Sequence, residues 1–75
     1  MPDGHSIGLR IRHARKDKGL NRTQLAAQLG VGERTVLRWE HGSVTPSIRR
    51  LTQLSAALDR PLMWLLEEDD ERVAV

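Results

Sequence analysis

The 75-residue chain is predicted to be all-α, with five helices. Three observations carry that prediction. Apolar residues recur every three or four positions, no stretch alternates apolar with polar, and the periodic runs are divided by residues that stop and start helices. The first helix is expected from Ser6, a capping hydroxyl, to about Lys18, with Ile7, Ile11 and Ala14 on one stripe and Gly19 ending it. Asn21 caps a second over Arg22 to Leu29. Gly32 opens a third from Glu33 to about His41, which Gly42 closes. Thr45 before Pro46 marks the start of a fourth, because the hydroxyl can take free amides and proline needs no partner at the first helical position. Its buried stripe is expected to hold Ile48, Leu51, Leu54 or Ser55, and Leu58. After a break at Asp59 and Arg60, Pro61 opens a short fifth helix through Leu62, Trp64, Leu65 and Leu66.

Residues Arg22 to His41 carry the most informative spacing. Ala26 is fifth in this run, Gly30 is ninth, and Leu25, Leu29, Val31, Val36 and Trp39 fill apolar places between and beyond them. Two short helices can cross closely only where a side chain is nearly absent, and the chain between them must reverse tightly, which a glycine permits at positive φ. That is the layout of a helix-turn-helix. With the apolar positions holding both helices on a shared core, the opposite face of the second stays exposed, and it carries Glu33, Arg34 and Arg38. A helix presented in that way fits the major groove of DNA.

Length and composition exclude other classes. A chain of this size makes one small domain that buries roughly 60% of its unfolded surface, too little for a large substrate pocket. There is no cysteine, so disulfides and thiolate metal sites are out, and a reducing cytoplasm is tolerated. His5, His13 and His41 do not share ligand spacing, so neither a metal nor a cofactor is expected. No residue pair offers a nucleophile with a base, so no enzyme is expected. Met1 to Gly8 has neither a basic start nor an apolar run, hence no signal peptide, and no stretch approaches the roughly 20 apolar residues of a membrane span.

The net charge of +2 hides an uneven distribution. Residues 1–66 hold eleven Arg or Lys against five acids, a balance of +6. Residues 67–75 hold five acids against Arg72, a balance of −4. The expected organisation is therefore a basic helical domain over 1–66 and an acidic, disordered tail over 67–75. A basic body raises the local concentration of a polyanion, which agrees with the exposed helix without proving its role.

The run from Ile7 to Leu66, through "KGLNRTQLAAQLGV", "TVLRWEHG" followed by "TPS", and "MWLL", resembles the Cro and phage-repressor type of helix-turn-helix domain, also called the xenobiotic-response-element type. The resemblance implies a five-helix lambda-repressor-like fold with the helix-turn-helix at helices 2 and 3. It also implies that Glu33, Arg34 and Arg38 read bases: arginine can donate two hydrogen bonds to guanine, and Glu33 can accept from cytosine or instead orient Arg34. Asn21, Arg22, Thr35, Ser43 and Thr45 fall at positions expected to meet phosphates. Arg22 stands where the family commonly has glutamine, and Ser43 to Thr45 where relatives often carry Lys or Arg. Arg15 and Glu40 match a pair that joins helix 1 to the end of helix 3. Trp39 and Trp64 are expected in the core.

The expected partner is double-stranded DNA, an inverted-repeat operator bound by a homodimer, because one small domain touches too few base pairs to select a genomic site. Leu62, Met63 and Trp64 are the candidate self-association patch, although Leu62 and Trp64 could equally close the monomer core. The function implied is a small transcriptional regulator, a repressor or Cro-like switch, cytoplasmic and nucleoid-associated, without an effector domain of its own. The alternative is a protein-interaction module such as an antitoxin or coactivator, suggested by the acidic tail and by Leu9 and Leu37, which are expected to be exposed without a packing role.

Overall fold

The computed structural model describes residues 4–67, and these form five helices and no strand. They are α1 (Gly4–Asp17), α2 (Arg22–Leu29), α3 (Glu33–His41), α4 (Ile48–Leu58) and α5 (Leu62–Leu66). Beyond Glu67 the acidic tail lies outside the described residues. One core joins Ile7, Ile11 and Ala14 of α1 to Leu25 and Ala26 of α2, Val36 and Trp39 of α3, Leu51, Leu54 and Leu58 of α4, and Leu65 of α5. In α1, α3 and α4 these residues are three, four or seven positions apart, so periodicity chose the faces that meet; α2 adds the adjacent pair Leu25 and Ala26, and α5 adds Leu65.

The caps explain most boundaries. Asn21 and Gln24 form a reciprocal box: Gln24 N–H donates to Asn21 Oδ1 at 2.7 Å and Asn21 N–H to Gln24 Oε1 at 2.8 Å. Gly30 ends α2 in the left-handed region, at φ 70°, and Val31 N–H returns to the Ala26 carbonyl at 3.0 Å. The three residues from Gly30 to Gly32 thus turn the chain from α2 into α3.

Two starts differ from the sequence expectation. α1 begins at Gly4, so Ser6 lies inside its first turn and does not cap it; helical hydrogen bonding continues upstream wherever the backbone permits, with or without a hydroxyl at the end. α4 begins at Ile48, and its cap is Ser47, whose Oγ accepts from Arg50 N–H at 3.2 Å. Thr45 is disfavoured from helical geometry by the proline after it, and Ser47 is the next hydroxyl able to reach a first-turn amide. Ile48 then falls on the overhanging first turn and is 63% exposed, not part of the buried stripe, which runs through Leu51, Leu54 and Leu58.

Candidate nucleic-acid interface

Two contacts hold α3 from behind, and a third fixes the turn that leads into it. The first is a buried charge cluster. Glu40, on the inner side of α3, has a side chain with no exposed surface; Arg15 Nε donates to its Oε2 at 2.7 Å and Arg15 Nη2 to its Oε1 at 3.2 Å. Arg15 also donates through Nη1 to the Leu20 carbonyl at 2.9 Å, so its donors are almost spent. The same Glu40 Oε1 accepts from Arg22 Nε at 3.1 Å. A carboxylate withdrawn from water is tolerable here because its lone pairs are filled by charged donors.

The second contact is a close helix crossing. A Cβ placed on Gly8 would strike the Trp39 carbonyl oxygen and come within 2.6 Å of that of Glu40, so α1 and α3 approach backbone to backbone at a point where no side chain fits. A glycine inside a helix costs about 1 kcal/mol relative to alanine, and that cost was the available sequence signal for this crossing. The third contact joins α4 to the turn: Arg50 Nη1 donates to the Leu29 carbonyl at the end of α2, at 3.1 Å, and to Gln53 Oε1 at 2.9 Å. Neither the Arg22 contact nor this one was legible in the sequence, since each joins residues about twenty positions apart with no periodic relation.

The outer face of α3 is different. Glu33, Arg34, Arg38 and His41 are exposed, and among the described residues Arg34 and Arg38 have no ion-pair partner. No ion pair links Glu33 to Arg34; adjacent helical residues diverge by about 100°, which removes the orienting role considered for Glu33. Val36, Trp39 and Glu40 occupy the buried side, so the guanidinium groups stand on a helix fixed from beneath.

The remaining sequence-derived residues divide into two groups. Asn21, Ser43 and Thr45 are exposed beside the helix-turn-helix, and Thr35 is half-buried. Arg22 is not the free phosphate ligand the sequence suggested, because its Nε is engaged by Glu40; its side chain remains 30% exposed with both Nη groups unspent. In the self-association patch, Met63 is 72% exposed, whereas Leu62 and Trp64 are half-buried against the core. Trp64 is moreover flanked by the Arg10 and Arg60 guanidinium groups, 5.2 and 5.1 Å from its ring. Leu9 and Leu37 are half-buried and not fully exposed as expected. Among the described residues no group of side chains could hold a metal ion, and no helix is long and apolar enough to cross a membrane.

Known proteins share this arrangement. The transcriptional regulator SinR of Bacillus licheniformis is 41% identical over 66 residues, covering 87% of this chain and 60% of that protein, so the chain spans well under the full length of this relative. A structure of SinR, described as the master regulator for biofilm formation, in complex with DNA superposes with a TM-score of 0.76 at 39% identity, over 81% of this chain and 98% of that one. The P22 c2 repressor in complex with a synthetic operator gives 0.78 at 32% identity, over 84% and 96%. The helix-turn-helix family profile matches residues 11–65. With a short α2, a left-handed glycine turn and an α3 held by a buried carboxylate all falling inside that match, the chain belongs to the helix-turn-helix family of the Cro and phage-repressor type.

Proposed function

We propose that this chain binds double-stranded DNA as a transcriptional regulator, a repressor or Cro-like switch, with α3 in the major groove and Arg34 and Arg38 reading guanines. The observation that carries this reading is the pair of guanidinium groups left without partners on the outer face of a helix whose inner face is locked. A planar fork with unspent donors can meet guanine O6 and N7, and a fixed helix loses little freedom on docking. Glu33 is then the cytosine-reading candidate.

Arg22 serves the phosphate side in a restrained form. Its Nε stays with Glu40 while the Nη groups face a phosphate, so the cation is pre-oriented before DNA arrives. Thr35, Asn21, Ser43 and Thr45 supply neutral donors around it, which hold register but release fewer counterions than lysines would. Two copies on an inverted repeat complete the reading, with Met63 at the centre of the self-contact and the helical domain bounded at residue 66. Occupancy of the operator is the regulatory act, and the site of action is the cytoplasmic nucleoid.

Selection of bound duplexes from a randomised pool tests this directly. The parent should enrich an inverted repeat, and Arg34→Ala and Arg38→Ala should each relax preference at one base pair per half-site, by about 1–3 kcal/mol. Enrichment of an unchanged motif by both variants would remove the assigned readers. A chain that enriches no duplex even at low salt would transfer the assignment to a protein-interaction module.

A further inference from the structure

Beside its exposed polar residues, α3 carries one apolar side chain that lies outside the core. Leu37 is half-buried, yet it does not join the partly buried hydrophobics, such as Leu29, Val31 and Leu62, that pack against the core. Helical spacing puts it three residues after Arg34, four after Glu33, four before His41 and next to Arg38. It therefore lies at the flank of the outer face, between Glu33 and His41, with side chains three or four apart rooted about 5–6 Å from one another. The large hydrophobics with the greatest exposure, Val44, Ile48 and Met63, all lie on other segments, so Leu37 belongs to no wider apolar patch on α3. A docked protein surface would need such a patch; a single methyl group would not.

The four base pairs present only one apolar group in the major groove, the 5-methyl of thymine. A leucine set against a guanine or cytosine edge would leave that edge's polar atoms dry and unpaired, a penalty that excludes those bases. Base pairs rise by about 3.4 Å each, so a side chain rooted one helical turn from Arg34 reaches a step one or two pairs from the one that Arg34 reads. We propose that Leu37 is a specificity-determining residue that packs on the 5-methyl group of a thymine within two base pairs of a guanine contacted by Arg34 or Arg38. The inference rests on the DNA-binding reading above and adds a base that the charged residues do not select.

Uracil is thymine without that methyl, which makes the test an exchange of one group. The probe is the duplex enriched by the parent chain from a randomised pool, remade with each thymine replaced singly by uracil. At one thymine per half-site the parent should bind the uracil duplex about fourfold more weakly, the loss expected for one buried methyl. Leu37→Ala should bind thymine and uracil duplexes equally at that position while remaining helical by circular dichroism at the assay temperature and keeping the parent's preference for the neighbouring guanine. A parent indifferent to uracil everywhere overturns the proposal without any variant being made. So does a Leu37→Ala chain that still discriminates. Failure of the underlying DNA reading looks different, because the parent then enriches no duplex, and the thymine assignment falls with it.

Discussion

Two arginine clusters draw on α1, and they differ in where their anions lie. In one, Arg15 and Arg22 converge on Glu40, whose side chain has no exposed surface. In the other, Arg10 and Arg60 flank Trp64 and pair with Glu67 and Asp17, carboxylates that are more than half exposed. The arginines are chemically the same, so the burial of the carboxylate decides what each cluster contributes. Water already solvates Asp17 and Glu67, and removing their partners leaves them comfortable; Glu40 has no such recourse. The inner cluster therefore fixes the angle of α3, whereas the outer one tethers α5 and the α4–α5 turn to α1 through the indole face more than through charge.

The sharpest test of that contrast is Glu40→Ala, which strands two cations beneath α3 and should cost about 3–5 kcal/mol in urea unfolding, with little change on adding salt. A loss below 1 kcal/mol would show that the two clusters are equivalent. Gly8→Ala attacks the seating of α3 by another route. Its methyl meets the Trp39 and Glu40 carbonyls, and the helices must part, at about 1–3 kcal/mol in thermal or urea unfolding. A neutral Gly8→Ala would mean that the crossing is looser than its geometry. In the outer cluster, Asp17→Asn removes the 2.8 Å pair with Arg60 and should cost less than about 1 kcal/mol, shrinking further in high salt. The smallest expected effect runs the other way. Asp59 ends α4 at φ 55°, so Asp59→Gly relieves the left-handed strain and should raise stability by about 0.5 kcal/mol, the gain being limited by the extra freedom of the unfolded glycine.

The helices and the turn were legible because periodicity and glycine act locally. Ile7, Ile11, Ala14, Leu51, Leu54 and Leu58 face inward as their spacing requires, and Gly30 takes the positive φ its place demands. The caps of α1 and α4 were not legible to the residue. Ser43, Thr45 and Ser47 lie within five positions, and which hydroxyl reaches an amide depends on the path that Pro46 forces. Within the site, the pairing of Arg15 with Glu40 came from family resemblance and not from any rule of spacing. Arg22 reached the same carboxylate across eighteen residues, a contact that appears once α2 and α3 are folded against each other. Leu37, expected to be exposed and to mark a partner surface, is half-buried, because periodicity separates core from surface and does not register a residue partly covered at a helix flank.

Trp39 and Trp64 are the only two tryptophans, and they report from different helices, α3 and α5. The indole of Trp39 is buried on the inner side of α3, while that of Trp64 is half-buried between two guanidinium groups. Their emission must therefore differ in colour and in accessibility to quenchers, which supplies two native optical gauges without any added label. Single-tryptophan versions of the chain can follow the seating of α3 and the release of α5 independently, in one cuvette and on the same time axis.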